Sequence, residues 1–217
     1  MPEERISFRS ADVGSSITLE GVLYLPGSQG NYPGVVICHP HPRYGGSMSN
    51  NVVFAVCDAL AERQIATLRF NFRGVGNSQG AYGTGAEEEL DALGALEFME
   101  AHPLVDTSRL GLAGYSFGAG VSVRVAQKDS RVQALATVSL PTRNLLDKGI
   151  LGSFTQPKFF IAGDQDSVVS SGDLQRFVDS LPEPKLLQAV PGADHFWGGY
   201  EDDVGPAVAQ FFAQAFV

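Results

Sequence analysis

The chain is short of the residues that staple, chelate or anchor a protein. Only two cysteines, Cys38 and Cys57, occur in its 217 residues, and their spacing fits neither a zinc nor a redox motif. They read as small buried filler rather than a disulfide. Histidine is nearly as scarce, with four residues at positions 39, 41, 102 and 195. No apolar run reaches the ~18 residues of a membrane span. The opening MPEERISF lacks the apolar stretch of a secretory leader, so a cytoplasmic protein is expected. Positive charge is the minority: 15 Lys and Arg face 24 Asp and Glu, a net charge of -9. That balance repels nucleic-acid backbones and anionic membrane surfaces. Repeats, linkers and biased segments are absent as well. One domain spanning 1–217 is therefore expected, with one well-filled core.

What is present is alternation. Residues 5–10 and 17–25 alternate apolar and polar and read as an antiparallel hairpin turning at Asp12 to Ser16. From residue 34 onward, short apolar strands and helical stripes take turns. Strands are predicted at 34–38, 65–70, 109–114, 133–140, 157–163 and 185–190. Helices are predicted at 51–64, 86–100, 117–128, 171–180 and 203–216. In the helix at 86–100, Leu90, Leu93, Leu96 and Phe98 or Glu97 mark the apolar edge. This order predicts an α/β fold with a mainly parallel sheet and helices on both faces. Ligands of such sheets gather at the carboxyl ends of the strands. The loops beginning at His39, Asn71, Tyr115, Pro141, Asp164 and Pro191 should then share one rim.

Three residues on that rim carry chemistry. Ser116 lies in GYSFGAG, 114–120, between a predicted strand and a predicted helix. A tight turn there leaves no room for side chains at 114 and 118, and it aims free helix N–H groups at the hydroxyl. A serine hydroxyl needs a base. His102 precedes a proline at a helix end and reads as a cap or surface residue. His195, in PGADHFWGG after the last strand, is on the rim and reads as the base. The imidazole needs an orienting carboxylate. Asp164 and Asp166 both follow a buried strand, and spacing alone leaves the choice between them open. The chain order serine, acid, histidine differs from the orders of chymotrypsin and subtilisin.

With HPHPRYGG at 39–46, RFNFRGVGNSQG at 69–80, GYSFGAG at 114–120, GDQDSVV at 163–169 and ADHFW at 193–197, the chain resembles the α/β-hydrolase superfamily. It looks most like the small cap-less bacterial hydrolases related to dienelactone hydrolases and to the hydrolase domains of acyl-peptidases. The resemblance runs from about residue 15 to residue 216. It implies Ser116 as nucleophile, His195 as general base and, through the pattern G-x-x-D-x-x-V, Asp166 rather than Asp164 as the acid. It places the oxyanion donors at the backbone N–H groups of His41 and Phe117. Many relatives have His-Gly where this chain has His39-Pro40, and Pro40 has no N–H to give. Of the two histidines in that loop, one ring is expected to brace the loop and the other to lie near the pocket. Two histidines at i, i+2 without clustered Cys, Asp or Glu make a poor metal site, so no metal and no cofactor is expected. Arg73 resembles a family arginine that ties loops together, and reads as a fork donor to backbone carbonyls.

The expected activity is that of a serine hydrolase, a carboxylesterase that cleaves esters of small or medium acyl groups through an acyl-enzyme. Leu140 to Gln156, where a cap would enter, holds room for only a short helix and loop. The pocket should be open, with Tyr44, Phe72, Phe154 and Trp197 as candidate walls. A thioesterase or peptidase would use the same triad. A non-catalytic binding or scaffold protein on this frame is the rival from another class, and the intact Ser, Asp and His set argues against it.

Overall fold

The computed structural model describes residues 3–12, 14, 16–143, 145 and 149–217. Eight strands form one sheet: β1 (Glu3–Arg9), β2 (Thr18–Tyr24), β3 (Tyr32–Cys38), β4 (Ala66–Phe70), β5 (Val105–Tyr115), β6 (Ala134–Val138), β7 (Lys158–Gly163) and β8 (Lys185–Val190). Their spatial order is β1-β2-β4-β3-β5-β6-β7-β8. β1 pairs antiparallel with β2, and β2 antiparallel with β4. Every later pairing is parallel. Within the hairpin turn, Val13 and Ser15 lie outside the described residues.

Among the described residues five α-helices cover the sheet: α1 (Asn51–Glu62), α2 (Ala86–Glu100), α3 (Phe117–Lys128), α4 (Ser171–Asp179) and α5 (Glu201–Ala215). They divide between two apolar layers. α2, α3 and α4 contribute to one, α1 and α5 to the other. The run GVVIC in β3 is continuously apolar because its side chains feed both layers. Val36 and Cys38 enter one, Val35 and Ile37 the other, as the two-residue period of a strand requires. Cys38 and Cys57 are buried free thiols, each pushed up to about 12 by burial. Among the described residues no helix is long and apolar enough to cross a membrane.

α2 departs from the expected stripe. Leu96 is buried, but Leu90, Leu93 and Phe98 are only half-buried and Glu97 is exposed. Fully buried positions include Glu88, Asp91, Ala92, Ala95 and Met99. Polar work explains the rotation. Asp91 accepts from the Arg73 guanidinium at 2.8 and 3.0 Å and from the Arg73 backbone N–H at 2.9 Å. Glu88 accepts from the N–H groups of Gly83 and Gly85, both at 2.7 Å. Arg73 therefore ties its loop to a helix carboxylate, with Ser10 Oγ as a further acceptor at 3.0 Å, and among the described residues no backbone carbonyl accepts from its side chain. A buried charge needs such a partner, and apolar counting does not see it.

Among the described residues no large cap interrupts the sheet. Between Leu140 and Gln156, where a cap would enter, the sequence predicted room for only a short helix and loop. Asn144 and residues 146–148 lie outside the described residues, and with them the expected short helix.

Candidate active site

Ser116 joins β5 to α3 with φ 54° and ψ -113°. For a non-glycine residue that is a strained backbone. The glycines on either side permit it. A Cβ on Gly114 would lie 2.3 Å from the Gly118 carbonyl oxygen, and one on Gly118 would lie 2.3 Å from that of Cys38. The Ser116 N–H donates to the Val138 carbonyl at 2.9 Å, which fixes the turn against β6. The hydroxyl is thereby raised to the rim.

Two further loops deliver the rest. Ser116 Oγ lies 3.0 Å from His195 Nε2. His195 Nδ1 lies 2.8 and 3.0 Å from the two Asp166 oxygens. An ionised carboxylate only accepts, so the imidazole proton sits on Nδ1 and the Nε2 lone pair faces the serine. Ser116 and His195 are 9% and 7% exposed, and the Asp166 side chain is fully buried. Burial acts to raise the Asp166 carboxyl. Hydrogen bonds from His195, the Val169 N–H and Ser139 outweigh it and hold the group below its ordinary value.

Asp164 and Asp166 separate cleanly. Asp164 Oδ1 accepts the Gly192 N–H at 2.8 Å and braces the base of the histidine loop. Asp166 reaches the imidazole. On the histidine loop, Asp194 Oδ1 accepts the N–H groups of Phe196 and Trp197 at 2.8 and 3.1 Å. The Tyr115 hydroxyl donates to the His195 carbonyl at 2.6 Å. The imidazole is thus held from the chain on both sides of it.

His39 and His41 divide their tasks. His39 is fully buried. Its Nε2 accepts the Phe72 N–H at 3.1 Å, which leaves Nδ1–H to donate to the Pro40 carbonyl at 2.6 Å. Burial lowers it to about 4, so it is neutral. His41 stands at the mouth among the rings of Tyr44, Tyr82 and Phe117, with centroids 4.9 to 5.2 Å away. Phe117 opens α3, in the first turn, where a helix N–H has no internal partner. His102 is remote, and its Nδ1 accepts the Leu104 N–H at 3.3 Å.

A cleft of about 480 Å³ lies over the serine, lined by residues that include His41, Tyr44, Ser116, Phe117 and His195. Of the four predicted walls, Tyr44 alone lines it. Phe72, Phe154 and Trp197 are buried in the core. Phe72 packs edge-on against Phe70 and Phe117. Phe154 sits beside the buried Lys158 ammonium, 5.6 Å from its ring centroid. The Trp197 indole turns inward, where its N–H donates to Ser139 Oγ at 3.0 Å. Sequence reasoning passed over Asn50, Val168 and Phe196, which line the cleft together with Pro141 of a predicted rim loop. Phe196, adjacent to the histidine, was the most readable of these. A hollow of about 540 Å³ between α1 and α5 is walled partly by Asp58, Glu62, Glu201 and Asp202, and contains none of the three site residues. Among the described residues no group of three or more His, Cys, Asp or Glu is placed to hold a metal.

Fold and site together define a serine hydrolase without a large cap. The family described as esterase FrsA-like matches residues 4–156, and the chain belongs to that family. An uncharacterized protein of Rickettsia prowazekii is 30% identical over 195 residues, covering 87% of this chain and 82% of that one. An alpha-beta serine hydrolase homologue from Coxiella burnetii superposes with TM-score 0.84 at 34% identity, covering 97% of both chains. A Xanthomonas campestris serine hydrolase, described as lacking a lid, gives TM-score 0.82 at 30% identity, over 99% of this chain and 96% of that one.

Proposed function

We propose that Ser116 is the nucleophile, His195 the general base and Asp166 the orienting acid in hydrolysis of carboxylic esters with small or medium acyl groups. The reading is carried by the continuous set of contacts from Ser116 Oγ to His195 Nε2 at 3.0 Å and from His195 Nδ1 to Asp166 at 2.8 Å. As the hydroxyl attacks the carbonyl carbon, His195 takes its proton at Nε2. The Asp166 carboxylate favours the imidazolium. The N–H groups of His41 and Phe117 receive the oxyanion. His195 returns the proton to the leaving alcohol as the acyl-enzyme forms. Water then attacks that ester, with His195 again as base.

Among the described residues the cleft wall contains no Lys, Arg, Asp or Glu. An ester with no charge near the scissile bond suits it, because a charged group would lose hydration there without gaining a partner. The 217 residues act as one domain in a cytoplasmic enzyme. The test is a fluorophosphonate probe followed by intact-mass measurement. One adduct is expected on the wild type and none on Ser116→Ala. An equal adduct on that variant overturns the assignment of the nucleophile.

A further inference from the structure

Of the large apolar side chains that stand exposed among the described residues, three line the cleft over Ser116: Tyr44, Val168 and Phe196. Single exposed apolar residues are ordinary on a protein surface, but a group of them on one concavity marks a binding site. Two of the three come from the loops that deliver the acid and the base. Val168 follows Asp166 by two residues, and Phe196 is the residue after His195. The mechanism above uses neither side chain.

The exposure of Phe196 is built into its loop. The residue is 68% exposed, while its neighbours His195 and Trp197 are buried. Its N–H donates to Asp194 Oδ1 at 2.8 Å. Its carbonyl accepts from Asn51 Nδ2, on the first residue of α1, at 3.2 Å. Trp197 shares the Asp194 oxygen through its own N–H at 3.1 Å. A backbone pinned in this way leaves the phenyl ring at the rim, edge-on to the His195 imidazole, with centroids 5.7 Å apart and planes at 86°. Val168 is held similarly. Its N–H donates to Asp166 Oδ1 at 2.9 Å, and its side chain stays exposed.

The chemistry decides which half of the ester meets these two residues. His195 Nε2 returns its proton to the leaving oxygen, so that oxygen must come within hydrogen-bond reach of the imidazole. The alcohol half then lies along the loops of His195 and Asp166, where Phe196 and Val168 stand. The carbonyl oxygen points elsewhere, to the N–H groups of His41 and Phe117. A fixed, exposed phenyl beside an aliphatic side chain fits a flat apolar group. An aromatic ring gains more than its area there, through edge-to-face or offset contact with Phe196.

We propose that Phe196, flanked by Val168, is an alcohol-side specificity site that favours esters of arylmethyl alcohols, of which benzyl esters are the simplest. The proposal rests on the triad assigned above. It names the alcohol half of the substrate, where that reading named the acyl half.

Benzyl, cyclohexylmethyl and ethyl acetate test it. All three give the same acetyl-enzyme, so differences in kcat/KM arise before deacylation, in binding and departure of the alcohol. The wild type should prefer benzyl over cyclohexylmethyl acetate by about threefold to tenfold, the worth of one aromatic pair beyond its area. Ethyl acetate should be slower than either. Phe196→Leu keeps an apolar side chain and should bring the two ring esters within about twofold of each other. Methyl benzoate and methyl cyclohexanecarboxylate carry their rings on the acyl half, so their ratio should be the same in wild type and variant.

A second readout needs no variant. The acetyl-enzyme formed from p-nitrophenyl acetate should pass its acetyl group to benzyl alcohol in preference to cyclohexylmethanol. The acceptor hydroxyl gives its proton to His195 Nε2 as its oxygen attacks the acyl carbon, and the proton returns to Ser116 Oγ as that ester bond breaks. Equal transfer to the two alcohols overturns the proposal. So does a wild type without benzyl preference, a Phe196→Leu protein that retains it, or a variant effect confined to the benzoate pair. A folded wild type that hydrolyses none of the acetates strikes the proposed function instead. Hydrolysis of all three without ring preference strikes the alcohol-side site alone.

Discussion

Gly163 and the Ala193 carbonyl are in backbone contact: a Cβ added to Gly163 would lie 2.0 Å from that oxygen. This approach joins the end of β7 to the loop of His195. It is reinforced by the Gln165 N–H, which donates to the same carbonyl at 3.0 Å. The acid and the base owe their register to it. Gly163→Ala must push the two loops apart. The expected result is a loss of kcat of about a hundredfold, on the order of what a misplacement of about 1 Å costs. Overpacking of about 1–3 kcal/mol should accompany it, lowering Tm by roughly 3–10 °C. A variant with both values unchanged would show that the loops are held apart from this contact.

Asp166 and Asp164 should respond differently to the same substitution. Asp166→Asn removes the charge behind the imidazole and should reduce kcat on the order of 10⁴, the loss known for another triad. Asp164→Asn keeps an oxygen for the Gly192 N–H and should retain kcat within about threefold while losing about 1 kcal/mol of stability. Steady-state kinetics with thermal denaturation of both proteins checks the pair. The reverse pattern would move the acid to Asp164.

His39 makes stability depend on pH. Its value falls from 6.5 to about 4 in the folded protein, because burial disfavours the imidazolium and outweighs the bond to the Pro40 carbonyl. The unfolded chain therefore binds the extra proton first. Stability is full above the unfolded value of 6.5 and is lost as the pH falls from there toward about 4. Between about pH 7.5 and about pH 5 this single group should remove about 2 kcal/mol. Urea unfolding at both pH values should show a smaller loss for His39→Gln than for the wild type. The lowered carboxyl of Asp166 acts in the same sense, but only at more acid pH, as protons reach its depressed value.

Chain length should be read by the cleft. Its volume of about 480 Å³ and the exposed Tyr44 and Phe196 at 88% and 68% describe a short, open site. Each buried methylene contributes roughly 0.8 kcal/mol, so kcat/KM for p-nitrophenyl esters should rise from acetate and then level off or fall once the chain leaves the cleft. Monomeric substrate, below its aggregation limit, is required. A steady rise through palmitate would contradict a short site.

The order of elements is legible along the chain, because apolar periodicity and glycine placement are local properties. The helices at 86–100 and 117–128 have the predicted bounds, and the G-x-S-x-G turn could be read from the crowding that excludes a Cβ at 114 and 118. The residues Ser116, Asp166 and His195 were also named from motifs that need only a few neighbours each. Which aromatic rings face the cleft was settled by long-range packing. Phe72, Phe154 and Trp197 lie in loops or connections, where no periodicity reports which way a side chain turns. Phe72 packs against Phe117 and Trp197 bonds Ser139, partners distant in sequence, while Phe154 sits beside Lys158 four residues on. Packing also decided the buried face of α2, because the Arg73–Asp91 pair and the caps made by Glu88 place charge where apolar counting expects leucine. A sequence displays its apolar period along the chain. The hydrogen-bond partner that makes a buried polar group tolerable is fixed only when distant segments meet.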